Sequence, residues 1–224
     1  MARPSARTRS AGDMEAHLLD CALTVFAERG YDATVVRDIL RVAGVTQPTL
    51  YYYFPSKQEL FLRLVRRHGS EALELLRQAL QEITGCESRL RVIMQASFAA
   101  CAGDPRIPRL MFQTTFGPRL PGISEVLDEL AERRFALVRD VIGQGVDRGE
   151  LAASSVDGLA LAFCCLMDQH LNVLARQPQP ERYLTPELAH WLVTLFLRGA
   201  ARIAPPDGVV VTDPRPAPAP AAPG

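Results

Sequence analysis

TVVRDILRVAGVTQPTLYYYFPSK, residues 34–57, reads as two short helices set at an angle by a glycine turn. Thr34 is placed to cap the first helix by accepting a hydrogen bond from one of its free amides, and Val36, Ile39, Leu40 and Ala43 recur at helical spacing. Gly44 ends that helix, since a residue without a Cβ takes the left-handed conformation that a sharp reversal needs. Val45 follows as an apolar peg in the angle, and Thr46 is placed to cap a second helix. Gln47 and Pro48 occupy its first turn, where proline is tolerated because that amide has no intrahelical partner. Leu50 and Phe54, four apart, face inward. Thr49, Tyr51, Tyr52 and Tyr53 leave a hydroxyl-rich surface suited to phosphate oxygens, while Gln47 at the helix tip reaches a base edge. Adjacent helical positions point about 100° apart, so three consecutive tyrosines on so short a helix cannot all be core. The pair therefore reads as a nucleic-acid recognition device rather than a generic helical corner.

The flanks support that reading. From Asp13 to Arg29, Leu18, Cys21, Ala22, Val25 and Phe26 form one apolar stripe of a helix that covers the back of the unit, and Gly30 stops it. Downstream, Ser56 and Glu59 have the spacing of a capping box that opens a fourth helix. This helix continues to about Ile83 on the pattern Leu60, Phe61, Leu64, Val65, Ala72, Leu76, Ala79, Leu80. Lys57, the only lysine in the chain, lies in its first turn, where an ammonium beside a helix N-terminus makes a phosphate clamp.

From Asp13 to about Arg67 the ERGYDAT approach, the AGV turn, the TLYYYF helix and the PSKQEL entry into the fourth helix resemble the tetracycline-repressor (TetR) family of transcription regulators. The resemblance implies that Thr34, Arg37, Thr46, Gln47, Pro48, Thr49, Tyr51, Tyr52, Tyr53 and Lys57 fall on positions that touch DNA. Two positions depart from the family pattern. Val35 stands where a hydroxyl residue is frequent, which removes one phosphate contact, and Leu40 stands where a small alanine is usual, which bears on the angle between the helices.

Charge agrees with the motif. The chain is formally neutral, yet residues 1–67 hold ten Lys and Arg against seven Asp and Glu, leaving fifteen against eighteen beyond. A basic head is the electrostatic footprint of a nucleic-acid partner. Arg3, Arg7 and Arg9 lie in a low-complexity arm, read either as a solvated tail or as an arm laid along the minor groove. The N-terminus has no apolar run of a secretory signal, no stretch is long and apolar enough to span a bilayer, and five cysteines without CxxC spacing suit a reducing compartment. The expectation is a cytoplasmic protein. Scattered histidines (His17, His68, His170, His190) and the absence of HExxH, GxSxG or a glycine-rich phosphate loop argue against an enzyme, a metal site or a cofactor.

Beyond the fourth helix the pattern is helical throughout, with helices near 87–102, 105–115, 122–148, 155–176 and 186–203 separated by Gly and Pro punctuation. The expected architecture is all-α with about nine helices: a disordered arm over 1–12, a helix-turn-helix DNA-binding domain over 13–58, a helical effector-binding and dimerisation domain over 59–204, and a disordered Pro/Ala-rich tail over 205–224. Family resemblance implies a ligand pocket in the second domain. Met94, Phe98, Met111, Phe112, Phe116, Phe135, Phe163 and Met167 together supply adaptable apolar surface for it, although any one of them alone reads better as ordinary core, and His170 reads as its polar contact or as a histidine at the core edge or in solvent. The last two helices carry more apolar surface than one chain buries. Leu159 and Cys164 on the first, with Leu188, Trp191, Leu192, Leu195 and Gly199 on the second, mark an expected four-helix contact between two copies. The function so expected is a transcriptional regulator, a repressor by preference, that binds a palindromic DNA operator as a homodimer and is released by a small aromatic or lipophilic effector. The alternative is an effector-blind architectural DNA-binding or protein-interaction module.

Overall fold

A computed structural model describes residues 11–152 and 155–200. The N-terminal arm and the Pro/Ala-rich tail lie outside the described residues. Among the described residues the elements are α1 (Ala11–Ala33), α2 (Val36–Ala43), α3 (Gln47–Tyr53), α4 (Lys57–Leu80), α5 (Cys86–Gly103), α6 (Arg106–Thr115), α7 (Ser124–Asp147), α8 (Val156–Leu174) and α9 (Pro186–Ala200), with a 3-10 turn at Pro180–Arg182 and no strand. The helices predicted from apolar periodicity are all present. The sequence stops α1 at Gly30, and there the backbone leaves helical geometry (φ 79°, ψ 169°) before resuming for a last turn.

Two apolar cores form. The first joins α1, α2 and α3 through Leu18, Ala22, Phe26, Ile39, Leu50 and Phe54 to the first half of α4, from Leu60 to Leu73. Phe61 of α4 meets Phe26 edge-on with ring centroids 5.0 Å apart. This core does not stop at residue 58: it also takes Leu110 of α6, Ile123, and Val126, Leu127 and Leu130 of α7. The second core holds Leu76 and Leu80 of α4 with the inward faces of α5, α7, α8 and α9, including Met94, Phe98, Val138, Phe163, Met167 and Leu192. α4 thus belongs to both, with the boundary between Leu73 and Leu76. Ala72 and Ala79, which the periodicity placed on its apolar side, are exposed.

Caps follow the sequence in part. Ser56 accepts from the Glu59 amide at 3.0 Å, as the capping box requires. Gly44 is left-handed (φ 66°, ψ 30°) and its amide closes α2 on the Leu40 carbonyl. Thr34 does not cap α2: Val35 takes the N-cap position without a side-chain bond, and the Thr34 hydroxyl instead donates back to the Gly30 carbonyl at 2.7 Å. Thr46 stands at the N-cap of α3 but pairs its hydroxyl with that of Thr49 at 3.0 Å.

α7 passes close to the start of α5 at Gly145, where an added Cβ would lie 2.7 Å from Cys86 Cβ and 2.8 Å from its Sγ. Two residues back, on the other side of the helix, a Cβ at Gly143 would make an ordinary contact of 3.7 Å with Val156. Gly145→Val should therefore destabilise the fold by about 1–3 kcal/mol through overpacking, whereas Gly143→Ala should be neutral or stabilising by up to about 1 kcal/mol through helix propensity. Urea unfolding of the two variants against wild type checks the contrast.

Candidate nucleic-acid interface

The glycine turn sets α3 on the outside of the head. Leu50 and Phe54 are buried at 0% and 1%, anchoring one side of α3, and the opposite side is left to solvent. Tyr52 is the most open ring at 81% exposure, Tyr51 is 40% exposed, and Thr46, Gln47 and Pro48 form the exposed tip. Arg37 is exposed on α2, and Arg41, Val35 and Val42 extend that surface. A short helix pattern identifies its buried side and leaves the exposed side unranked, so nothing in the sequence singles out Arg41 and Val42. Thr49 and Tyr53 are half-buried, and the Tyr53 ring packs on the head core while meeting Tyr52 edge-on at 5.1 Å.

Two of the residues expected at DNA are turned inward. Thr34 is buried at 1%, its hydroxyl used by Gly30. Lys57, expected as a phosphate clamp, donates from Nζ to the carbonyls of Tyr31 at 2.9 Å and Thr34 at 3.0 Å, and lies 4.2 Å from the centre of the Tyr31 ring. Its ammonium satisfies carbonyls left without amide partners where α1 gives way to α2. The side chain braces the corner that carries α2 and α3.

The body redistributes the remaining candidates. Met94, Phe98, Phe163 and Met167 are fully enclosed in the second core, with Phe112 and Phe135 packed against it. Met111 packs on the first core instead. Phe116 lies outside both, 71% exposed and stacked on Phe112 at 6.0 Å. His170 is half-buried and bonded through Nδ1 to the Leu166 carbonyl of its own helix at 2.7 Å. Of the residues assigned to a subunit contact, Cys164 and Leu192 are interior to a single chain, and Leu159 and Leu188 pack partly on the second core. Trp191 (57%) and Leu195 (50%) are exposed, and a Cβ at Gly199 would meet nothing within 4 Å. Their one helix face places Trp191 and Leu195 a turn apart; Cys164 and Leu192 fall on the other side of their helices, which a run of unbroken hydrophobicity does not distinguish.

No sequence pattern marks the partly buried charged pair of the body. Arg134 of α7 is bound in a two-pronged fork by Asp168 of α8, at 2.5 and 2.6 Å. Arg134 follows Leu130 and precedes Val138 on the inward stripe of α7, so it lies between the two apolar cores. Dehydration is the largest influence on its guanidinium and disfavours the charge, but Asp168 outweighs it and the pKa rises. The nearby thiols respond in the same sense: burial pushes Cys101 up to about 12 and Cys164 up to about 11, and Cys86 is raised to about 11 at the far end of α5. Cys165 is the exposed thiol. Among the described residues no group of three His, Cys, Asp or Glu is placed to hold a metal, and no helix is long and apolar enough to cross a membrane.

A three-helix head that presents the outer side of a glycine-turned helix, fixed through a long helix to an all-α body, defines the class of helix-turn-helix regulators. Residues 18–64 match the family described as bacterial regulatory proteins, tetR family. The transcriptional activator FasR of Mycolicibacterium smegmatis is 38% identical over 99 residues, 44% of this chain and 45% of that one. The transcriptional repressor KstR2 of Mycobacterium tuberculosis is 32% identical over 135 residues, 59% of this chain and 66% of that one. These alignments thus span about half to two thirds of the relatives' own length. The fold is similar over nearly all of FadR from Bacillus subtilis, solved in complex with stearoyl-CoA: TM-score 0.73 at 19% identity, covering 82% of this chain and 98% of that one. The chain belongs to the TetR family.

Replacing Lys57 by methionine keeps its stem and removes both carbonyl bonds. Lys57→Met should lower stability by about 1–3 kcal/mol in the absence of DNA, as loss of charge-assisted bonds to half-buried carbonyls does. Denaturant unfolding of the DNA-free protein measures this; unchanged stability would return Lys57 to the phosphate role.

Proposed function

We propose that the protein is a DNA-binding transcriptional regulator that reads a near-palindromic operator as a homodimer, with Arg37, Thr46, Gln47, Pro48, Tyr51 and Tyr52 as the contact surface. The observation that carries this reading is the exposed tip and outer side of α3 held on a buried Leu50–Phe54 anchor. Gln47 is the base reader, since its amide offers a donor and an acceptor to an adenine edge. The tyrosine and threonine hydroxyls are phosphate contacts that set register. Gln47→Ala should cost roughly 1–3 kcal/mol on the preferred duplex and little on random DNA, relaxing base preference at one position per half-site. Selection of duplexes from a random pool, followed by binding titrations at several salt concentrations, tests both; equal losses on specific and random DNA would remove Gln47 from base reading.

The homodimer joins the exposed faces of α8 and α9. Ala162, Cys165, Gln169 and Val173 of α8 and Trp191 and Leu195 of α9 are open in one chain, and Trp191 and Leu195 are large apolar side chains left to solvent. Covering them in a four-helix contact places two heads side by side, as two half-sites require. Trp191→Glu should give monomers or insoluble protein in sedimentation and weaken operator binding by at least tenfold, because the half-sites then act separately. An intact dimer would move the interface elsewhere.

The effector is a mostly apolar small molecule taken up by the body, and its binding releases DNA. Support comes from the methionine and phenylalanine side chains of the second core, and from the likeness in fold to a regulator solved with a fatty acyl thioester, stearoyl-CoA. Because Met94, Phe98, Phe163 and Met167 are closed in the described state, uptake selects an opened arrangement of α5–α8. Repression is the preferred sense of control. Thermal shift against long-chain acyl compounds, then operator binding with each hit, tests the link. Ligands that stabilise the fold but leave operator affinity unchanged would remove it.

A further inference from the structure

The head meets the body through two kinds of contact. One is the apolar packing of Leu110, Ile123, Val126, Leu127 and Leu130 on the first core. Such packing fills space but is non-directional, so by itself it does not single out one register. The other is polar, and at α1 it is made, among the described residues, by a single arginine. Arg106, at the start of α6, donates from Nη1 to the Thr24 hydroxyl of α1 at 2.8 Å and from Nη2 to Asp20 Oδ1 of α1 at 2.8 Å. On its other side Nε reaches Asp104 Oδ1 at 2.9 Å and Nη2 reaches Asp104 Oδ2 at 2.7 Å, while the Arg106 amide also donates to Asp104 Oδ1 at 3.1 Å. One planar group therefore reads two acceptors a turn apart on the head helix while Asp104 holds it in orientation from the body. Arg106 holds the Asp104 carboxyl below the usual carboxylate range, so the fork stays charged at neutral pH.

Elsewhere the seam is looser. A cleft of about 210 Å³ separates the α1–α2 corner (Arg29 to Ala33) from the α6–α7 corner (Gln113, Thr114, Gly117, Pro118 and Leu120). The first turn of α4 crosses that seam by one bond, from Gln58 Nε2 to the Pro121 carbonyl at 3.0 Å. Between a non-directional apolar patch and a gap, the directional constraint on α1 is the Arg106 fork.

We infer that Arg106, gripping Asp20 and Thr24, is a specificity-determining residue that fixes the half-site spacing this protein accepts. The inference rests on the dimeric operator reading given above. Two recognition helices must enter successive major grooves about 34 Å apart, and one base pair changes their separation by only about 3.4 Å. A head free to shift on α6 by one side-chain length would absorb the axial part of that error, leaving the rotation of about 34° per base pair to be met as twist between the two chains. A forked guanidinium bound to acceptors on both sides excludes that shift, because it has one geometry that satisfies all of them.

The test uses the full chain and the duplex it selects from a random pool, remade with half-sites moved apart or together by one and by two base pairs. Wild type should lose at least about tenfold in affinity for a one-base-pair change. Arg106→Gln and Asp20→Asn should each reduce that penalty to about threefold or less. Arg106→Lys, which keeps the charge but not the fork, should behave like Arg106→Gln. The ratio between spacings cancels any general loss from removing a positive charge, and a merely structural role would lower affinity on all spacings alike. Asp20 is an exposed side chain, so its variant carries the test if Arg106→Gln fails to fold. Variants that keep the wild-type spacing profile overturn the inference and leave dimeric operator binding intact. A wild type that binds no duplex, or binds all spacings equally, overturns the operator reading and this inference with it.

Discussion

One unbroken helix serves two cores. α4 buries Leu60 through Leu73 with the head and Leu76 and Leu80 with the body, and its 24 residues make a rod about 36 Å long. It holds no proline, and its hydrogen-bonded turns carry displacement of the distal end toward the proximal one, with Gly69-Ser70 the one pair along it of the kind at which helices kink. At the proximal end Lys57 is bonded to the α1–α2 corner, which makes the first turn of the rod a part of the recognition unit. The packing around Leu76 and Leu80 and the orientation of α3 are then linked through one helix.

The sequence disclosed the fold through its apolar periodicity, and the head through its turn chemistry. Gly44, Pro48 and Ser56 each have a local reason for being where they are, independent of tertiary contacts, and each does in the structure what that reason requires. Thr34 and Lys57 show where local reasoning ends. A threonine before a helix is a good cap in isolation, but here burial directs its hydroxyl back to Gly30. A lysine at a helix N-terminus suits an anion, but carbonyls from a corner 23 and 26 residues away reach it first. The lysine's outcome depends on the packing of α4 against the α1–α2 corner, which no local window contains, whereas the threonine's partner lies only four residues back.

The body was less legible for a related reason. Methionine, phenylalanine and leucine look alike on either side of a helix, so assigning Met111, Phe116, Cys164 and Leu192 required knowledge of the neighbouring helices. Arg134 and Asp168 are 34 positions apart, and each alone resembles a solvated charge. Their pairing places a polar layer between the two apolar cores. A layer of this kind costs stability relative to a hydrophobic filling, and its use is that charge partners accept fewer alternative arrangements than methyl groups do.

The cysteines give the molecule a chemical clock of its own opening. In a single chain Cys165 is the exposed thiol, whereas Cys86, Cys101 and Cys164 are withheld both by packing and by thiol pKa values raised toward 11 and 12. Thiolate is the form that reacts with an alkylating reagent, so these three are protected twice over for as long as α5, α7 and α8 stay together. Separation of those helices removes both protections at once. The rate at which these three become modified then reports how often the body opens, while Cys21, buried in the first core, reports on the head.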